Sequence, residues 1–226
     1  MPNIEIYNED CILGMKRFPD KHFDLAIVDP PYGINADKHA HKNGENCGHL
    51  NFKKHRQTDW DNATPNKEYF DELFRVSKNQ IVWGANYFTP FLPPSMGWIF
   101  WYKMQDNFSF SDGELAFSSF DCKTRIFKYR RNREGFGKDK VAYSNTHPTQ
   151  KPEALYRFCL DKFAKPGNKI LDTHLGGGGI CIACDDYGYD LTAFEIDEYY
   201  YNQAKARLEN HRKQLKLFET YPQVNK

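Results

Sequence analysis

The segment Phe23-Asp24-Leu25-Ala26-Ile27-Val28 is an almost unbroken apolar run of strand length, and it stops abruptly at Asp29-Pro30-Pro31-Tyr32-Gly33. A strand with so little polar surface must be covered on both faces, which is the situation of a parallel sheet between two layers of helices. The rest of the chain supplies matching pieces. Further strands are expected around Ile4 to Ile6, Gln80 to Trp83, Gly97 to Tyr102, Glu114 to Phe120, Lys169 to Asp172 and Leu191 to Phe194. Helices are expected from Cys11 to Phe18, from about Lys67 to Ser77, from Glu153 to about Ala164, through Cys184, and from Glu198 onward. Strands alternating with helices predict an α/β fold with a doubly wound, mostly parallel sheet.

Length allows one main domain with a small insertion, since the chain has 226 residues. No apolar stretch approaches the roughly 20 residues that span a bilayer, and Met1 to Asp10 does not read as a secretory signal. Six cysteines without such a signal fit free thiols in a reducing compartment. A soluble, cytoplasmic protein is expected. The net charge of +1 neither favours nor excludes a polyanionic partner.

Four glycines, Gly176 to Gly179, follow the strand ending in Asp172 and precede a helix. Such a turn lets a ligand approach the backbone, and the helix start behind it offers free N–H groups. One strand later stands Glu195, where an acid can take both ribose hydroxyls. The pair points to an adenosine-containing cofactor. A nicotinamide dinucleotide shares this pattern, so an oxidoreductase stays open as an alternative. Asp172, however, has no task in dinucleotide binding and is placed to receive the ammonium of a methionine moiety, which favours S-adenosylmethionine.

Asp29-Pro30-Pro31-Tyr32 lies at the carboxyl end of a buried strand, the edge at which ligands bind in such sheets. An aromatic amine is a poor nucleophile because its lone pair is delocalised into the ring. Two acceptors on its hydrogens, the Asp29 carboxylate and the Pro30 carbonyl, would favour a pyramidal nitrogen aimed at a methyl donor. Pro30 and Pro31 stiffen the backbone that presents that carbonyl, and Tyr32 offers a stacking face to an unpaired base.

With these motifs in the order tetrapeptide, His147-Pro148-Thr149-Gln150-Lys151-Pro152, Asp172 to Gly179, and Phe194-Glu195-Ile196-Asp197, the chain resembles the amino-methylating DNA methyltransferases of the β class. The resemblance implies a permuted, Rossmann-like methyltransferase fold and methyl transfer from S-adenosylmethionine to a flipped-out base in double-stranded DNA. It implies that Asp29, Pro30, Pro31 and Tyr32 are catalytic. It also implies that Asp10, Asp172, Gly176, Gly178 and Glu195 bind cofactor, with His147, Thr149 and Lys151 at its carboxylate end. Asp at the head of the tetrapeptide resembles adenine-N6 members more than cytosine-N4 members; N4 methylation and a non-catalytic nucleic-acid-binding protein stay open. One departure stands out: Thr173-His174 replaces the proline and phenylalanine usual after the cofactor-loop acid.

Residues 121–140 carry eight basic side chains against three acids. Lys123, Arg125, Lys128, Arg130, Arg131 and Arg133 are the candidate DNA contacts within an inserted recognition region, 121–146, and a solvated charged face is the alternative. On this reading 1–120 forms the catalytic half of the domain and 147–226 the cofactor half. The polar stretch 34–62 reads as a mobile loop able to act as a lid. His39, His41, Cys47 and His49 match no standard zinc spacing, Cys181 and Cys184 read as core residues, and no metal is assigned. The sequence leaves open a homodimer and a cognate restriction endonuclease as partners.

Overall fold

The structure, a computed structural model, describes residues 1–34, 61–104, 111–130 and 150–220, with side chains described to residue 214. Its strands are β1 (Ile4–Tyr7), β2 (Phe23–Val28), β3 (Ser77–Trp83), β4 (Trp98–Tyr102), β5 (Gly113–Ser118), β6 (Arg125–Lys128), β7 (Lys169–Asp172) and β8 (Asp190–Phe194). Its α-helices are α1 (Cys11–Met15), α2 (Lys67–Val76), α3 (Glu153–Phe163), α4 (Gly179–Tyr187) and α5 (Glu198–Thr220). Among the described residues one eight-stranded sheet runs in the order β1-β8-β7-β2-β3-β5-β4-β6. β5 pairs antiparallel with β3 and with β4, and every other pairing is parallel.

The apolar run of β2 is covered on both faces, as its composition requires. Leu25 and Ile27 join a core with residues of α3 and α4, while Ala26 and Val28 join a second core with α1 and α2. β2 also occupies the centre of the sheet, between β7 and β3. The expected doubly wound architecture is therefore present.

Two local details differ from expectation. The strand at Lys169 and its neighbours are legible in the sequence, but the basic stretch conceals β6, which pairs parallel with β4 from Ile99↔Arg125 to Tyr102↔Lys128. Phe127 and Tyr129 turn inward, where Phe127 meets Phe158 at 5.0 Å, while Lys123, Arg125, Lys128 and Arg130 stay exposed. The alternation of a strand thus sorts core from charge, and the boundary expected at 121 lies just before a strand of the main sheet. The lid stretch 35–60, the candidate contacts Arg131 and Arg133, His147 and Thr149, and His39, His41, Cys47 and His49 all lie outside the described residues. No helix among the described residues is long and apolar enough to cross a membrane.

Candidate active site at the carboxyl edge of the sheet

In a parallel sheet every strand delivers its last residue to the same edge. Asp10 follows β1, Asp29 follows β2, Lys103 follows β4, Asp172 ends β7 and Glu195 follows β8. Because β5 runs the other way, its beginning reaches that edge, and Glu114 joins the group. β2 and β7 are neighbours with Leu25↔Ile170 and Ala26↔Leu171 in register, so Asp172 falls level with Ile27 on a strand about 4.8 Å away, and Asp29 follows two residues further along the same edge. The acceptor and cofactor motifs share one edge.

On the acceptor side, the Tyr32 hydroxyl donates to Asp29 Oδ1 at 2.6 Å. The Lys151 ammonium lies 2.6 Å from the same oxygen, 3.0 Å from the Tyr32 hydroxyl and 3.1 Å from Glu114 Oε2. Glu114 Oε1 receives Lys103 at 2.8 Å. Lys103 and Lys151 are both buried, and Asp29 and Glu114 are largely so. Burial pushes the Asp29 carboxyl above its usual range, with Lys151 opposing and Glu114 assisting. Burial also acts to raise Glu114, but Lys151 and Lys103 outweigh it and hold that carboxyl down at about 2. The resemblance assigns Lys151 to the cofactor's carboxylate end; in the structure its ammonium pairs with Asp29 and Glu114.

Tyr32 is fixed by its surroundings. Its ring stacks on Tyr87 with centroids 5.1 Å apart and planes at 14°. Gly84, at φ +68°, passes so close that a Cβ there would sit 2.1 Å from Tyr32 Cε1. Neither Gly84 nor Tyr87 announces itself in the sequence, because their role depends on a ring more than fifty residues earlier.

On the cofactor side, Glu195 is fastened by two backbone amides, Gly176 N to Oε2 at 2.7 Å and Asp197 N to Oε1 at 2.9 Å. The Asp172 carboxylate accepts from the His174 amide at 3.0 Å; burial, reinforced by Asp29 and Glu195, raises it to about 8. A buried carboxyl in that state gains from a cationic neighbour, so the residues present fit the ammonium and sulfonium of S-adenosylmethionine. Gly178, at φ +69°, caps α4, and a Cβ there would lie 2.8 Å from Ala204 Cβ of α5. Asp10 caps α1, its Oδ1 accepting from Ile12 N at 2.8 Å and Leu13 N at 3.1 Å.

The unusual Thr173-His174 pair is held by its own network. Thr173 Oγ1 lies 2.7 Å from the Tyr69 hydroxyl and 2.9 Å from His174 Nδ1, and the His174 ring meets the Tyr69 ring at 5.4 Å. Burial lowers His174 to about 4, so the ring is neutral near pH 7 and stands in for an aromatic hydrocarbon. Cys181 and Cys184 are buried on α4, where desolvation raises both thiols, as expected of small core residues.

One sheet edge thus gathers the Asp29 carboxylate, the Glu195 carboxylate and the glycine turn after Asp172. The DNA methylase family model matches residues 53–206. The chain belongs to the N6/N4 DNA methylase family. This DNA methylase is 27% identical over 240 residues to Type II methyltransferase M.HpaI of Haemophilus parainfluenzae, covering 89% of this chain and 73% of that protein. It is 26% identical over 250 residues to DNA adenine methyltransferase YhdJ of Escherichia coli (strain K12), covering 90% of this chain and 82% of that one. Its fold is similar to a putative DNA modification methylase of Thermus thermophilus solved in complex with S-adenosyl-L-methionine, with TM-score 0.56, 15% identity and 93% and 94% coverage. It is similar also to the cytosine-N4-specific PvuII DNA methyltransferase, with TM-score 0.59, 14% identity and 97% and 92% coverage.

Proposed function

We propose that this DNA methylase transfers a methyl group from S-adenosylmethionine to adenine N6 in double-stranded DNA, and that Asp29, Pro30, Pro31 and Tyr32 form the acceptor site. The observation that carries the reading is the Asp29 carboxylate on the strand next to the Asp172 turn, at one sheet edge. When bound, S-adenosylmethionine supplies an electrophilic methyl group on a sulfonium. Asp172 takes the cofactor's ammonium, Glu195 its ribose hydroxyls and Gly176 the close approach of its backbone side. Ile196, 66% exposed beside Glu195, offers apolar surface to its adenine. Asp10 completes that end of the cleft, and His147 and Thr149 are assigned the carboxylate end.

Asp29 and the Pro30 carbonyl each accept one amino hydrogen of the target base, which draws the lone pair out of the ring plane towards the methyl group. Bound S-adenosylmethionine would supply the methyl group to that nitrogen and keep the electron pair of its sulfur–carbon bond, and Asp29 would take the surplus amine proton. No covalent enzyme intermediate is needed, since orientation supplies most of the advantage. Flipping the base costs a few kcal/mol, and the stacking face of Tyr32 recovers part of it, the base taking the place of Tyr87.

Adenine is favoured by Asp at the head of the tetrapeptide and by the similarity to an adenine methyltransferase over 90% of the chain. Mass spectrometry of nucleosides from DNA methylated by the purified protein decides the matter. N6-methyladenine is expected; N4-methylcytosine alone would refute the base assignment and leave the family intact. The similarity to a type II enzyme supports a cytoplasmic role beside a restriction endonuclease. Protection of methylated DNA from a neighbouring-gene endonuclease tests it.

A further inference from the structure

The acceptor side is filled by the protein's own groups. Asp29, the carboxylate assigned to the amino group, already carries through its Oδ1 both the Lys151 ammonium and the Tyr32 hydroxyl, each at 2.6 Å. An amine entering this site shares a carboxylate whose charge a buried cation neutralises, and Asp29 becomes a full-strength acceptor only as that cation leans away. A buried ammonium left without an anion is strongly unfavourable, so displacement is feasible only where a second anion is within reach. Glu114 is that anion: its Oε2 is 3.1 Å from Lys151, and its Oε1 is held by Lys103 at 2.8 Å. Glu114 also lies 3.4 Å from the Tyr32 hydroxyl, so it is in line to keep that hydroxyl when Asp29 turns to the base.

We infer that Glu114 is a positioning residue for methyl transfer: it takes over the Lys151 ammonium when the amino group of the target base takes Asp29. Lys103 fixes Glu114 for this exchange, and the antiparallel direction of β5 puts it at the active edge. Lys151 holds the substrate amine's place on Asp29 until the base arrives, and Glu114 is its berth afterwards. The inference rests on the reading of Asp29 as the amine acceptor and applies equally to an adenine or a cytosine amino group.

The test is steady-state methylation of bacteriophage λ DNA with tritium-labelled S-adenosylmethionine at saturating cofactor, with cofactor affinity measured separately by calorimetry. Glu114→Gln keeps the shape and removes the charge, so Lys151 is left with Asp29 alone. The KM for DNA should rise about tenfold, a loss of binding rather than of turnover, with kcat falling by less and cofactor affinity held. Adding Lys151→Met should bring KM back towards the parent value, which a purely structural role for Glu114 does not explain. Should the single variant fail to fold because Lys103 is orphaned, Lys103→Met with Glu114→Gln removes the pair together and carries the same expectation. An unchanged KM, a fall confined to kcat, or no recovery on removing Lys151 overturns the inference. Methylation at the parental rate in Asp29→Ala overturns the reading beneath it instead.

Discussion

Lys151 and Asp29 lie 122 positions apart in the chain and meet at 2.6 Å, the ammonium of one on the acceptor oxygen of the other. On the proposed roles Asp29 serves the acceptor and Glu195 and Asp172 the cofactor, so the two functions should separate on mutation. Asp29→Ala is expected to lower kcat by about 10²-fold to 10³-fold, the scale of losing one preorganised electrostatic interaction in a transition state. Cofactor affinity measured by calorimetry should change by less than about threefold, because only a minor charge interaction with Asp172 is removed. Equal losses in both would show that Asp29 belongs to the cofactor side.

Asp172 gives the cofactor site a pH signature. Its carboxyl, raised to about 8 by burial, is mostly protonated at pH 7 before cofactor binds. An incoming ammonium favours the ionised form, so binding should release a proton. Calorimetry at pH 7 in buffers of different ionisation enthalpy reads that proton directly, and Asp172→Asn should abolish it while weakening binding roughly 10- to 100-fold, the worth of one charged hydrogen bond. The same shift acts on stability. With the folded value raised, the stabilising contribution is full below the ordinary Asp value of about 3.9 and is lost as pH rises through about 8. Denaturant midpoints of the cofactor-free protein should therefore fall less over that window in Asp172→Asn than in the parent.

Gly84 should be as sensitive as a residue that touches substrate. Alanine there adopts a left-handed φ of +68° and brings a Cβ to 2.1 Å from Tyr32. The backbone conformation alone costs roughly 1–3 kcal/mol, and displacing the ring by about 1 Å is worth about 100-fold in turnover. A Gly84→Ala variant with parental kcat and thermal midpoint would mean that the ring yields freely and is not preorganised.

Lys128 and Arg130 lie at the active-edge end of β6, four strand spacings from β2, a span of about 19 Å that suits a duplex lying across the sheet edge. Replacing both by glutamine should reduce the slope of log K against log salt by about 1.8, roughly 0.9 for each phosphate no longer neutralised. Fluorescence anisotropy over a salt series measures it. An unaltered slope would place the DNA surface elsewhere.

The parts of this molecule that can be read from sequence are those whose cause is local. β2 announces itself because burial on both faces is written in six consecutive residues, and the turn after Asp172 because glycine permits backbone conformations that other residues resist. β6 stays hidden because an edge strand with exposed Arg125 and Lys128 shows no apolar pattern; only the inward Phe127 betrays it. Glu114 and Lys103 are silent for another reason. A carboxylate in a strand and a lysine beyond one are unremarkable until antiparallel pairing and long-range register set them beside Asp29 and Lys151. Lys151 stands in a motif that points to the cofactor half while its ammonium pairs in the acceptor half, since motif order fixes which residues gather at an edge and not which of them pair.

The pairing of β1 with β8, Ile4 opposite Leu191, has a consequence for how the protein comes into being. During synthesis β1 and β2 emerge early, yet the two places between them stay vacant until β7 and β8 are made. The nascent sheet waits with its interior gap open, and the ribose-binding end of the cleft forms only after nearly the whole chain has left the ribosome. Contacts so distant along the chain impose slow folding, and a truncated product lacking β8 would expose both flanks of that gap to other chains.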